Sequence, residues 1–296
     1  MAATTAETTT TVPQVATQAK RDKGPSTPWW LWVVVAGIVV FCLLPFYWLL
    51  NISLKTGPDL SNSNFIPPHP TLANYKSIFQ NSSFTHALAN SAIVSLITTF
   101  IGVVIGSFAA YALARLKMRG KFLLLAIVLS ISTFPQIAIA APLFRLWTDI
   151  GLYNTLPGLI IPYLTFALPL SIYILVSFFR EIPRDLEEAA LVDGATHFQA
   201  FRKVVVPLAA PGLATTAILT FISAWNEFLL ATTLTSSTTA RTVPVAISQF
   251  TGSSQFEVPL GTQSAASVVI SIPLIVLVLL FQKRIVAGLT AGAVKG

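Results

Sequence analysis

The sequence predicts an all-α transmembrane protein of six spans with both termini in the cytoplasm. Three observations carry that expectation. Of 296 residues, 54% are hydrophobic and only 10% are Asp, Glu, Lys or Arg, whereas a soluble domain carries about 25% charged residues because its surface faces water. The apolar residues gather in runs long enough to cross a ~30 Å hydrocarbon core as helices. The cations fall in short clusters between those runs. With both ends inside, 14 of the 18 Lys and Arg lie on the cytoplasmic side, and only Lys55, Lys76, Arg145 and Arg241 lie outside. That is the positive-inside bias. The net charge of +7 is therefore read as a topology signal and not as a nucleic-acid footprint.

Residues 1–28 are a polar stretch rich in Thr, Ala and Gln, read as a disordered cytoplasmic tail because they cannot bury enough apolar surface to fold. A six-span domain follows over 29–282. Trp29, Trp30 and Trp32 mark an interface at the start of the first span, 29–50. This run is longer than a signal-peptide core and no small-residue cleavage site follows it, so it is read as retained. Residues 51–85 form a polar, turn-rich loop with one short helix near 72–79. The second span, 86–114, ends in the basic turn Arg115, Lys117, Arg119, Lys121. The third covers 122–143, with Pro135 and Pro142 toward its outer end. The fourth covers 157–179, where Pro157, Pro162 and Pro169 imply an irregular helix. The fifth covers 208–231, a Thr- and Ser-rich loop 232–262 follows, and the sixth covers 263–282. Residues 283–296 are read as a cytoplasmic tail. The lone cysteine, Cys42, sits inside an apolar run, so no disulfide framework is available. His69, His86 and His197 are scattered without ligand spacing, so no metal site is expected.

The loop 180–207 is longer and more patterned than a connector between spans requires. Pro183 suits a first helical turn, and 184–192 is rich in helix formers. Gly194 can end that helix in a left-handed conformation. Thr196 followed by Gln199 is a capping-box signature for a second short helix, which Pro207 ends or hands to the next span. Leu191, Ala195 and Phe198 fall on one face at three- to four-residue spacing. Two readings follow: a connector lying on the bilayer, or a docking surface for a soluble partner.

The segment "EAALVDGATHFQAFRKVVVP" resembles the signature loop of permease subunits in binding-protein-dependent ABC importers. That pattern is Glu-Ala-Ala, three residues, Gly, nine residues, then an aliphatic, any residue, an aliphatic and Pro. Glu188, Ala189, Ala190, Gly194, Val204, Val206 and Pro207 occupy it, with Val where the family usually has Ile and Leu. Residues 29–296 resemble the carbohydrate branch, the maltose-type smaller permease in particular, through "AWNEFLLA" at 224–231 and "GLTAGAVKG" at 288–296. The stretches "TFALPLSIYILVSFFREIP" and "FRKVVVPLAAPGL" are similar to the second permease of actinobacterial trehalose importers.

The resemblance implies a six-helix ABC importer permease fold in the bacterial plasma membrane, forming half of the pathway for an ATP-driven sugar import. Trehalose is the expected cargo; maltose, maltodextrin or glycerol phosphate are the alternatives. It implies a second, different permease, two ATP-binding subunits and an extracytoplasmic sugar-binding protein as partners. The loop 180–207 would carry a coupling helix seated in a cleft of the ATPase. Glu188 would anchor it, Ala189 and Ala190 would allow close approach, Gly194 would permit the turn, and Pro207 would close the pattern. Gly288 and Gly292 would let the C-terminal tail run close along the ATPase dimer. The sequence has no Gly-rich phosphate loop followed by Lys and Ser or Thr. The chain is thus expected to be no enzyme and to bind no cofactor, with ATP and Mg on the partner subunits.

Trp225, Asn226 and Glu227 are the candidates for the translocation path, because polar groups at membrane depth are costly and tend to face protein or water. Their competing reading is packing for Trp225, interhelical hydrogen bonding for Asn226 and contact with outer headgroups for Glu227. Asn154, Tyr163 and Tyr173 are further candidates. A secondary transporter driven by an ion gradient is the rival class. It would need ionisable relays inside its spans, and these runs are nearly free of them.

Overall fold

The computed structural model describes residues 28–250 and 259–291, the stretch 283–291 by its backbone alone. The expected tail 1–28, all but its last residue, and Gly292 lie outside the described residues. All regular structure among the described residues is helical. The described chain divides into two units between Pro45 and Phe46. The first holds the start of α1 (Trp29–Ser53), where every side chain from 28 to 45 except Leu31 is exposed.

In the second unit, α1 ends and a 3-10 turn (Gly57–Ser61) leads to α2 (Ala73–Gln80) and α3 (Ser82–Arg115). Next come α4 (Lys121–Ser132), α5 (Gln136–Asp149) and α6 (Leu156–Glu181). The patterned loop then forms α7 (Arg184–Val192) and α8 (His197–Ala200). A π turn (Phe201–Val205) joins α8 to α9 (Val206–Leu208), followed by α10 (Ala210–Trp225), α11 (Leu229–Leu234), α12 (Val243–Ser248) and α13 (Leu260–Ala291). Among the described residues, four stretches are long and apolar enough to cross a membrane: Trp29–Ser53, Ser82–Arg115, Leu156–Glu181 and Leu260–Gln282. Two bent pairs raise the number to as many as six.

The bent pairs depart from the expected continuous spans. The span expected at 122–143 breaks between α4 and α5 with a bend of 83°. Pro135, just before α5, has no N–H and drives Phe134 out of helical conformation. Thr133 Oγ1 donates to the Ser130 carbonyl at 2.8 Å, and Ser130 Oγ to that of Ile127 at 2.7 Å, so both hydroxyls at the break are satisfied by backbone of their own helix. The second bend, 77°, separates His197–Leu208 from α10, where Pro207 and Pro211 bracket Ala209. The span expected at 208–231 stops at Trp225 and resumes as α11. The sixth helix begins at Leu260 and continues past the expected end at 282 to Ala291.

α3 and α6 pack along their lengths, and α10 lies against both. α3 presents small residues to them: Ser91, Ser95, Thr98, Gly102, Gly106 and Ala110 are all buried, spaced so as to share a face. Small side chains let helices in a membrane approach closely. A Cβ on Gly106 would already stand 3.3 Å from Ser171 Cβ. Several buried hydroxyls turn back to their own helix, Ser95 to the Ser91 carbonyl at 2.6 Å and Ser171 to that of Ala167 at 2.8 Å, and Ser171 also meets Thr220 at 3.1 Å.

The α5–α6 corner is the tightest backbone approach. Thr155 Oγ1 caps α6 by accepting from Gly158 N at 3.1 Å. Trp147 Nε1 donates to the Gly158 carbonyl at 2.7 Å. A Cβ on Gly158 would lie 2.1 Å from the Leu152 carbonyl oxygen, a backbone atom that cannot rotate away. Gly158→Ala is expected to destabilise the fold by about 3 kcal/mol through overpacking. Thermal unfolding of the purified protein in detergent measures this, and an unchanged transition would refute it.

Candidate functional site

The loop after α6 folds as two short helices joined by a specified turn. α7 has Asp185 and Glu187 in its first turn, where carboxylates meet the positive end of the helix. It ends in a left-handed glycine motif. Gly194 has φ +89°, its N–H reaches the Leu191 carbonyl at 3.1 Å, and Ala195 N reaches back to that of Ala190 at 3.0 Å. α8 opens with the capping box: Thr196 Oγ1 accepts from Gln199 N at 3.2 Å, and Gln199 Oε1 accepts from Thr196 N at 2.8 Å. Pro207 does not stop the second helix. It sits in α9, after the π turn has carried the chain through.

Two adjacent glutamates differ in burial. Glu187 is buried and Glu188 is exposed. The Glu187 carboxylate accepts a short hydrogen bond from the Tyr111 hydroxyl, and its Oε2 lies 3.3 Å from Arg115 Nε. That second contact is an ion pair whose N–H is not aligned for a hydrogen bond. Arg115 Nη2 donates to the Ile182 carbonyl at 2.9 Å. Phe201 is buried against Tyr111, with ring centroids 4.8 Å apart, and against Phe108 at 5.3 Å. Glu188, Ala189 and Gly194 stay exposed, and Ala190 is half-buried. Leu186, Val192 and Phe198 add exposed apolar surface, Val192 at 87%. Of the expected apolar face, Leu191 and Ala195 are half-buried and Phe198 is exposed. A cavity of about 140 Å³ opens between the loop and the end of α3, lined by Arg115, Arg184, Glu187, Glu188, Leu191 and His197. The sequence reading missed Tyr111, Arg115 and Glu187.

The second group of candidate residues lies where α10 stops. Trp225 is buried, stacks on Phe221 with centroids 5.5 Å apart, and donates from Nε1 to the Ile270 carbonyl of α13 at 3.2 Å. Asn226 is exposed and its amide donates back to the Ile222 carbonyl at 2.9 Å. Glu227 is half-buried and starts α11: its two carboxylate oxygens accept from Leu230 N at 2.7 Å and Ala231 N at 3.0 Å. A small cavity places Glu227 beside Tyr163, Phe166, Ser223 and Gln136. Phe166 also lines a larger cavity of about 330 Å³ at the α4–α5 break, with Ser130, Phe134 and Thr165. The structure thus gathers residues from both broken helices. Asn154 has φ +58° and binds the chain after α11: its carboxamide oxygen accepts from Ser236 N and Ser237 N, and its nitrogen donates to Ser237 Oγ at 2.7 Å. Gly288 lies within α13, not in a separate tail.

Comparison with known proteins gives a consistent pattern. The family model described as "Binding-protein-dependent transport system inner membrane component" matches residues 102–290. The trehalose transport system permease protein SugB of Mycobacterium tuberculosis is 57% identical over 266 residues, 90% of this chain and 97% of that one. The trehalose/maltose transport system permease protein MalG of Thermococcus litoralis is 42% identical, over 88% of this chain and 94% of that one. The sulfoquinovosyl glycerol transport system permease protein SmoH of Agrobacterium fabrum is 44% identical, over 88% and 91%. Among solved structures, a chain of a bacterial ABC transporter involved in the import of the acidic polysaccharide alginate superposes with a TM-score of 0.71 at 25% identity, covering 88% of this chain and 99% of that one.

Proposed function

The chain belongs to the family of binding-protein-dependent transport system inner membrane components, and from that premise we propose that it forms half of the translocation pathway of an importer for trehalose. It is the non-catalytic permease subunit of an ABC sugar importer and a multi-pass protein of the plasma membrane. The observation that carries the cargo is the degree of likeness to a trehalose permease along nearly the whole chain. A relative named for both trehalose and maltose and one named for sulfoquinovosyl glycerol match over a similar span with lower identity.

The partners follow from the same premise: a second permease, two ATP-binding subunits that hold ATP and Mg, and an extracytoplasmic sugar-binding protein. The α7–α8 loop is the coupling element. Two features support this. The Arg115–Glu187 pair brings the basic turn 115–121 and the loop to one end of the bundle, which the positive-inside rule assigns to the cytoplasm. The loop also exposes Glu188 and Val192 beside Gly194, a mixed surface suited to a protein cleft. Both termini then lie in the cytoplasm. When the ATP-binding subunits close, the loop moves with them and the transmembrane cavity turns outward to receive sugar; hydrolysis resets it. In this chain Glu188 anchors the cleft contact, and Asn226 and Glu227 stand where sugar passes.

Uptake of labelled trehalose, maltose and glycerol phosphate by cells with and without the chain tests the cargo. Trehalose uptake is expected to be lost on deletion and restored by the wild-type gene. Loss of maltose or glycerol phosphate uptake alone would transfer the assignment to that substrate. Unchanged trehalose uptake in cells lacking a redundant importer would sink the trehalose reading.

A further inference from the structure

The chain joins the α7–α8 loop directly to α6 and, through α9, to α10, and prolines lie on both routes. α6 contains Pro162 and Pro169, and the segment entering α10 is bent by 77°. α3 differs. It runs unbroken for 34 residues without proline, a length of about 50 Å, and it meets the loop through side chains. Phe108, Tyr111 and Arg115 lie on one face of its last two turns. Phe108 stacks on Phe198 with centroids 6.4 Å apart. Tyr111 packs on Phe201 and donates to Glu187. Arg115 pairs with Glu187 and also holds the α6–α7 joint at the Ile182 carbonyl. Near its other end, α3 grips the chain around α12. Asn90 Nδ2 donates to the Thr238 and Arg241 carbonyls at 3.1 and 3.0 Å, and Ser91 Oγ accepts from Val243 N at 2.8 Å.

We propose that Tyr111, Arg115 and Glu187 are positioning residues that lock the loop to α3, and that α3 is the rod carrying the loop's displacement to the α11–α12 segment across the membrane. The proposal rests on the reading of α7 as the coupling helix. Side-chain exposures of 5% for Arg115 and 10% for Glu187 make this a desolvated pair. Such pairs add little net stability, because desolvation offsets the Coulomb gain, but losing one partner leaves an uncompensated charge. What two contacts on one carboxylate do supply is orientation. Without them α7 can pivot about Ile182–Pro183, and the bend ahead of α10 absorbs the motion.

The test uses the complete importer, with both permeases and both ATP-binding subunits, in proteoliposomes with binding protein and trehalose. Sugar taken up per ATP hydrolysed is the readout. Glu187→Gln keeps size and exposed surface, so the complex is expected to assemble and hydrolyse ATP while sugar per ATP falls about tenfold, within the usual range of a coupling energy. Arg115→Glu alone is expected to fall at least as far. The exchange Arg115→Glu with Glu187→Arg is expected to recover to within about threefold of wild type, since paired residues are non-additive. Should Glu187→Gln not assemble, Tyr111→Phe removes one hydrogen bond only and is expected to lower the ratio about threefold. Uptake and hydrolysis falling in proportion, or an unchanged ratio in Tyr111→Phe, would overturn the proposal. Failure of the underlying reading looks different: the wild-type complex itself would show no ATP-dependent uptake.

Discussion

Gly194→Trp is expected to cut sugar uptake by at least about 30-fold, as loss of an interface centre worth ~2 kcal/mol does, while the chain still reaches the membrane. The argument rests on two features of Gly194. Its φ of +89° is a conformation that L side chains rarely adopt, and a Cβ there would meet nothing within 4 Å. Inside this chain, a side chain at 194 therefore costs only the left-handed penalty of about 1–2 kcal/mol. In the proposed assembly that open space is filled by the ATP-binding subunit. Gly194→Asn separates the two effects, because asparagine tolerates the left-handed region and adds little bulk. It is expected to keep the turn and most of the uptake. ATPase stimulation and uptake both normal in Gly194→Trp would remove the docking surface from this place. Equal loss in both variants would assign the effect to the turn itself.

The loop was legible in the sequence because its signals are local. Pro183, the helix formers of 184–192, a glycine stop and the Thr196–Gln199 box each act within four residues, and each has the structure those residues favour. The α2 helix and the fourth span were legible for the same reason. The breaks were not. Hydropathy averaged over a span-length window bridges 133–135 and 226–228, so Pro135 and the polar pair Asn226–Glu227 disappear into the apolar runs around them. The six-residue α12 was hidden in a Ser- and Thr-rich loop; it is held by Asn90 and Ser91, some 150 residues away in sequence. Glu187 and Glu188 show the limit most clearly. They are identical residues one position apart, about 100° around the helix, and one pairs with α3 while the other stays exposed. Leu191 was the usable clue. It lies four residues after Glu187, on the same face, so an inward Leu191 turns Glu187 inward with it.

Glu227→Ala is expected to lower the stability of the folded subunit by about 2 kcal/mol, because hydrogen bonds to a charged acceptor contribute about 1.5–3 kcal/mol. Both carboxylate oxygens are engaged, by Leu230 N and Ala231 N. These are first-turn donors of α11 with no helical partner of their own. Leu230 and Ala231 are fully buried, so water does not replace the lost acceptor freely. Glu227→Gln keeps one carbonyl acceptor at the same place and is expected to lose about half as much. This cap role and the path role make opposite demands on the pair of variants. If Glu227 serves only α11, thermal unfolding separates Ala from Gln, and uptake follows the amount of folded complex in each. If its charge also meets sugar, Glu227→Gln loses uptake per folded complex beyond what its stability predicts. Trp225 offers no such second role to test, being buried on Phe221 and bonded to α13. Asn226 does, because it is exposed at the break and its amide bonds only within its own helix among the described contacts. Asn226→Ala is accordingly expected to leave the unfolding transition in place while slowing uptake. A lowered transition with uptake in proportion would return Asn226 to packing.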